Sequence, residues 1–174
     1  MATLHTATFD TPFGSMRVAS SDEGLAFVQL PLAHGRGFTG WAERFAPGEP
    51  IREGYEPNRA AIRQITEYLE GKREAFELTL DIRATDFQRR VYDVLAKIPY
   101  GETRTYTDVA NAIDHPKAVR AVGTANGANP LSLVLPCHRV VAAGGKLGGY
   151  GGGLPMKKKL LAMEHRQPQT GALL

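Results

Sequence analysis

The chain has 174 residues, 43% hydrophobic and 22% charged, a mix that belongs to a folded globular protein and excludes collagen, long coiled coil and wholesale disorder. Its one cysteine excludes an internal disulfide framework and any multi-cysteine zinc or iron–sulfur centre. Charge is divided unevenly: residues 1–80 hold 8 basic and 11 acidic residues, residues 81–174 hold 13 basic and 7 acidic, so the C-terminal half is the candidate face for a polyanion.

The bland reading of that excess assigns part of it to Lys157-Lys158-Lys159 on a solvated helix face. No run of 18 apolar residues is present, and Met1-Ala2-Thr3-Leu4-His5 lacks a basic segment followed by an apolar one. The expectation is a cytoplasmic protein without a spanning helix or secretory signal.

The first segment reads as β-rich. Thr6–Phe9 and Met16–Ala19 flank the turn signal Thr11-Pro12-Phe13-Gly14, and Leu25–Leu30 supplies a third strand after Asp22-Glu23-Gly24. Residues 31–54 read as a long irregular connection with a short helix around Trp41–Phe45. Pro57 suits a first helical turn, Ile62, Ile65 and Leu69 recur at helical spacing, and Gly71 is a stop. Phe76–Leu80 alternates like a strand or an extended linker.

The second segment reads as helical. Thr85 with Gln88 fits a capping box, and Phe87, Val91, Leu95 and Ile98 share one face until Pro99-Tyr100-Gly101 ends it. Thr105–Asp108 caps a second short helix with Val109, Ala112 and Ile113 inward. After Asp114-His115-Pro116, a third helix from Lys117 to about Ala128 turns Val119, Val122 and Gly123 to the core. Two short helices across a tight turn form a helix-turn-helix pattern. The second carries Arg120 among small residues (Ala121, Gly123, Ala125, Gly127), which allows close backbone approach to DNA.

The chemistry gathers near the cysteine. Leu131–Leu135 reads as a short buried strand running into Pro136-Cys137-His138-Arg139-Val140. A lone cysteine is usually an inert buried residue, but Pro136 stiffens the backbone, His138 and Arg139 lie beside the thiol, and the strand delivers it to a loop. A thiol attacks carbon as thiolate, and a neighbouring base supplies that form. Adjacent residues on a strand face opposite ways, so Cys137 and His138 cooperate only across a turn. Gly144–Gly153, with seven glycines in ten, fits neither the dinucleotide fingerprint nor a phosphate loop; it reads as a loop that approaches a flat ligand or as a flexible hairpin. Pro155 opens a last helix bearing Leu160, Leu161 and Glu164, the last being either a third relay member or a surface acid beside His165.

Pro136-Cys137-His138-Arg139-Val140, preceded by Arg120-Ala121-Val122-Gly123-Thr124-Ala125-Asn126-Gly127-Ala128-Asn129-Pro130, closely resembles the O6-alkylguanine-DNA alkyltransferases, also called methylated-DNA–protein-cysteine methyltransferases. Ile98–Thr103 and Tyr150–Gly153 match as well, and Thr11–Gly14 and Asp22–Leu25 extend the likeness to the N-terminal part. The resemblance implies an α+β chain: a ribonuclease-H-like α/β domain over 1–80, a helical winged-helix or helix-turn-helix domain over 81–166, and a disordered tail over 167–174.

It also implies DNA repair by irreversible transfer of an alkyl group from O6 of a flipped-out guanine to Cys137, with double-stranded DNA bound through the minor groove. His138 then accepts the thiol proton through a water and Glu164 orients His138. Tyr106 helps rotate the nucleotide and hydrogen-bonds the leaving guanine. Arg120 fills the vacated stack, with Ala121 and Gly123 beside it. Asn129 ties the recognition helix to the cysteine loop, and Ser132, Val140, Tyr150 and Gly151 line the base site. No cofactor, metal, membrane or obligate protein partner is implied: some relatives hold zinc through an N-terminal cysteine, and this chain has none there. Ala128 replaces a basic residue of many relatives, pointing to weaker DNA affinity. Ser132 in place of proline and the extra glycines point to a wider pocket. The competing readings are a non-repairing sensor of alkylated bases, against which the presence of Cys137 counts, and a thiol hydrolase, for which no oxyanion hole is apparent.

Overall fold

The computed structural model describes residues 2–32 and 36–165. The described residues form two compact units: the first runs to Ala84 and includes Pro130–Val134, and the second holds Thr85–Asn129 and the described residues from Leu135.

In the first unit, β1 (Leu4–Thr11), β2 (Gly14–Ser21) and β3 (Gly24–Gln29) form an antiparallel meander. The β1–β2 turn is pinned by the Thr11 hydroxyl, which accepts from Phe13 N–H and donates to Gly14 O. The connection after β3 contains α1 (Gly37–Phe45) and a strand that the composition does not suggest, β4 (Ile51–Glu53), which joins β1 in parallel to give the order β3-β2-β1-β4. All three β4 residues are exposed, so no inward–outward alternation marks it in the sequence. The core lies between sheet and α1: Phe27 meets Phe38 edge-on at 5.5 Å and Trp41 at 5.2 Å. A turn at Glu56–Asn58 carries Pro57 and leads into α2 (Arg59–Leu69), whose Ile62, Ile65 and Leu69 are buried as their spacing predicts. Asn58 is fully buried and satisfied. It accepts from the Ser20 hydroxyl and donates to the carbonyls of His5 and Gly54.

Residues 76–80 are the extended linker of the two alternatives, with one bridge from Leu80 to Leu25. Leu131–Leu135 departs from expectation. The segment is largely buried, but it is not a strand: Leu131 makes a single bridge to Val28, and Leu133 adopts φ +74°, which breaks an extended run.

In the second unit, α3 (Asp86–Leu95) and α4 (Tyr106–Ala112) each open with a full capping box, Thr85 with Gln88 and Thr105 with Asp108. With α5 (Val119–Gly127) they form the helical core, where Val91, Leu95, Ile98, Val109, Ile113 and Val122 are buried. Ala112, expected inward, is exposed and Ala110 is buried in its place; the inward stripe runs Val109, Ala110, Ile113. A two-stranded parallel pair joins β5 (Arg104–Thr105) to β6 (Val140–Val141), and α6 (Leu154–Glu164) ends the described chain. The lysine run is not uniformly solvated. Lys158 and Lys159 are exposed, but Lys157 is fully buried on the stripe of α6 that carries Leu160, Leu161 and Glu164. The expected tail, 167–174, lies outside the described residues.

Gly24 supports the bridge at Leu25. It sits at φ +144°, and a Cβ there would lie 2.4 Å from Thr79 O, the acceptor of Leu25 N–H. Gly24→Ala therefore lowers stability by about 1–3 kcal/mol, read as a lower urea midpoint at unchanged slope; an unchanged midpoint contradicts the close approach.

Candidate active site

The cysteine turn is built by backbone carbonyls and two asparagines. Leu135 O accepts from Cys137 N–H at 2.7 Å and from Asn129 Nδ2 at 2.7 Å. Asn126 Nδ2, from the last turn of α5, donates to Cys137 O at 3.3 Å. Arg139 N–H closes the turn onto Pro136 O. Residues Cys137–Arg139 thus form one tight helical turn rather than a strand, which removes the opposed-face problem for Cys137 and His138. Cys137 is 5% exposed.

Around this turn lies a buried charged cluster. Glu164 accepts from His138 Nε2 at 2.7 Å and from both prongs of the Arg139 guanidinium, Nε at 2.7 Å and Nη2 at 3.0 Å. Arg139 Nη1 donates to Ile98 O at 2.7 Å, and its guanidinium lies over the Tyr100 ring. Two-point Arg–carboxylate bonding of this kind is the strong form of an ion pair. Burial alone would raise the Glu164 carboxyl, but the hydrogen bonds from His138 and Arg139 and their charges outweigh it and bring it down to about 2. Burial pushes His138 below the ordinary histidine value, against the pull of Glu164. The pair is therefore carboxylate and neutral imidazole. With Nε2–H donating to the carboxylate, the imidazole lone pair is on Nδ1.

Two tyrosines and a lysine complete the site. Tyr106, first residue of α4, is half-buried between α5 and the glycine-rich loop. A Cβ at Gly123 would lie 3.9 Å from its ring, and one at Gly148 would lie 2.8 Å from its hydroxyl. Burial raises its phenol above the ordinary value, while the Gly149 N–H bond lowers it. Tyr150 lies edge-on to His138, ring centres 6.4 Å apart. Its buried hydroxyl has no partner among the described residues, and burial, then the charges of Cys137 and Glu164, hold it well above the ordinary phenol value. Lys157 donates to Val140 O at 2.7 Å and Gly149 O at 3.1 Å; burial lowers its ammonium to about 8, against the pull of Cys137.

Of the residues singled out from the sequence, Cys137, His138, Glu164, Tyr106, Asn129, Val140 and Tyr150 are thus tied into one cluster. Arg120 and Ala121 stand exposed on α5, with Gly123 against Tyr106; Gly151 is exposed on its loop, and Ser132 is buried in the segment belonging to the first unit. The sequence reading missed Lys157, Asn126 and the structural part of Arg139. Among the described residues no group of three or more His, Cys, Asp or Glu is placed to hold a metal, and no helix is long and apolar enough to cross a membrane.

Two family models match. One, described as the 6-O-methylguanine DNA methyltransferase ribonuclease-like domain, covers residues 4–82; the other, the DNA-binding domain of the same enzyme, covers residues 86–166. A methylated-DNA–protein-cysteine methyltransferase of Mycolicibacterium paratuberculosis is 43% identical over 96% of both chains. The chain belongs to the methylated-DNA–protein-cysteine methyltransferase family. Another member, the inducible methyltransferase of Bacillus subtilis, is 43% identical over 86% of this chain and 83% of its own. Among solved structures of the family, Mycobacterium tuberculosis OGT in complex with DNA superposes with a TM-score of 0.80 at 39% identity over 92% of both chains.

In this methyltransferase the Glu164 bonds set an acid sensitivity. A carboxyl depressed in the folded state contributes stability above its unfolded value of 4.5, and loses it as pH falls through the folded value of about 2. Glu164→Gln strands Arg139 in the interior and costs about 3–5 kcal/mol at pH 7. The gap between variant and wild type narrows below pH 4.5. Thermal melts at several pH values check this; a gap that stays constant to the acid limit contradicts the assignment.

Proposed function

We propose that this chain repairs DNA by taking the alkyl group of O6-alkylguanine onto Cys137. The observation that carries the reading is the buried Glu164–His138 bond at 2.7 Å immediately beside the cysteine, in a chain 43% identical to a methylated-DNA–protein-cysteine methyltransferase. The carboxylate fixes Nε2 as donor and leaves Nδ1 as proton acceptor. His138 takes the Cys137 proton through one water, the relay logic of a thiol–imidazole–carboxylate site. The thiolate then attacks the alkyl carbon. The S–C bond forms as the C–O6 bond breaks, the electron pair stays on O6, and guanine gains one proton for the one the thiol gave up. Tyr106, kept protonated, donates to the departing base where negative charge develops.

The alkyl carbon cannot meet a buried thiol while the base is stacked, so the nucleotide must leave the helix. Exposed Arg120 on α5, with Ala121, Gly123 and Gly127 beside it, suits entry of α5 into the minor groove with the guanidinium taking the place of the base. The helix carries few side chains that could read base edges, which suits a search by backbone charge and shape. The thioether product has no route back to thiol in this scheme, so each molecule acts once. Val140, Tyr150 and Gly151 line the base site, and the reaction takes place on DNA inside the cell without a cofactor.

Intact-protein mass after incubation with a duplex containing one O6-methylguanine tests this. The native chain gains one methyl group and stops at one; Cys137→Ala gains none. Lesion binding without mass gain contradicts repair and favours a sensor, and continuing turnover favours a hydrolase.

A further inference from the structure

Among the described residues, Lys157 stands apart from the other cations of the second unit. It is fully buried, it forms no ion pair among the described residues, and it donates hydrogen bonds to two backbone carbonyls, Val140 O at 2.7 Å and Gly149 O at 3.1 Å. An ammonium taken out of water without a carboxylate is expensive, and its lowered value of about 8 reflects that. A residue needed only to close the inner stripe of α6 would be served by methionine or leucine.

The two carbonyls belong to separate segments. Val140 opens β6 directly after the cysteine turn, and Gly149 lies in the glycine-rich loop. The Gly149 backbone also acts on Tyr106, whose phenol it lowers against the effect of burial. Gly148, at φ +73°, packs so closely on Tyr106 that a Cβ would lie 2.8 Å from that hydroxyl. Gly144, Gly145, Gly149 and Gly151 are all exposed, so little side-chain packing orders the loop apart from Tyr150, edge-on to His138, and glycine is the residue that loses most freedom when ordered. A bond that holds the loop at one peptide therefore decides its position.

We propose that Lys157 is a positioning residue: by bridging the Val140 and Gly149 carbonyls it docks the glycine-rich loop against Tyr106 and sets the width of the purine pocket. The proposal rests on the alkylguanine reading of the site. Lys157 does not touch the reacting atoms; it acts through the loop and Tyr106.

Lys157→Met keeps the length of the side chain and removes its donors. Single-turnover transfer from an O6-methylguanine duplex falls about 100-fold, the loss that a displacement of the order of an ångström produces. Amide exchange over residues 148–153 accelerates. Alkylation of Cys137 by iodoacetamide, which needs no purine pocket, keeps its high-pH plateau rate, with its pH profile moved upward by the loss of a nearby positive charge. Gly148→Ala pushes the loop off Tyr106 without touching Lys157 and gives the same loss of transfer and faster exchange with the iodoacetamide pH profile unmoved, which covers the case in which Lys157→Met does not fold. Transfer at the wild-type rate in either folded variant overturns the proposal. So does a loss of transfer that disappears at the pH where iodoacetamide alkylation reaches its plateau, which would make Lys157 only the counter-charge of the thiolate. A wild-type protein that takes no methyl group defeats the alkyl-transfer reading, not the docking itself: there, amide exchange decides, and unchanged exchange in Lys157→Met overturns it.

Discussion

The Glu164 carboxylate is the hub on which the second unit's chemistry depends. It is nearly inaccessible to water and receives three short donor bonds, one from His138 and two from Arg139, with a longer one of 3.5 Å from Gly101 N–H. Burying an ion is unfavourable unless its lone pairs are met by well-placed donors, and here the donors come from the turn that carries Cys137. The same bonds do three things at once. They anchor the end of α6, they hold the turn through Arg139, whose third contact reaches Ile98 beyond the end of α3, and they select the Nε2–H tautomer of His138. The local fold and the proton path are set by one group. Loss of any member leaves an uncompensated buried charge or an undirected imidazole, so stability and reactivity fall together at this site.

Charge balance gives a second view of the same cluster. Arg139 and Glu164 neutralise each other, His138 is neutral, and Lys157 is the remaining buried cation. Cys137 as thiolate would bring the cluster to zero net charge, and Lys157 and Cys137 do attract each other. A positive surrounding favours the nucleophilic form of a thiol. A cysteine that is nearly buried is a poor choice for a catalyst that must exchange substrates rapidly in solution. It suits a nucleophile that reacts once, with a base delivered into the pocket, and is shielded from other electrophiles until then.

The sequence made much of this legible because local rules agree with the tertiary structure at these points. The capping boxes at Thr85 and Thr105 are complete within four residues, so each helix start is encoded locally. The turn at Cys137 followed from chemistry, since cooperation with His138 is impossible on a strand. Lys157 was misread because three consecutive lysines look like solvent. The clue lay in spacing: Lys157 and Glu164 stand seven apart, on one stripe with Leu160 and Leu161. Arg139 had a comparable clue. Glu164 is the only acid after Asp114, against eight basic residues, so a buried cation in that stretch has one carboxylate to find. β4 and the turn at Leu133 were not legible. The first is fully exposed and made by pairing with a distant strand, and the second is a left-handed backbone at a leucine, which local preference argues against.

The protonation state of His138 tests the central claim most directly. Nitrogen-15 spectra of the imidazole from pH 5 to 8 distinguish the two tautomers and the imidazolium. The Glu164 bond and the burial of the ring predict a neutral ring protonated on Nε2, with any protonation of Nδ1 setting in only below the ordinary histidine range. A ring protonated on Nδ1, or one that becomes imidazolium at or above pH 6.5, would contradict the account.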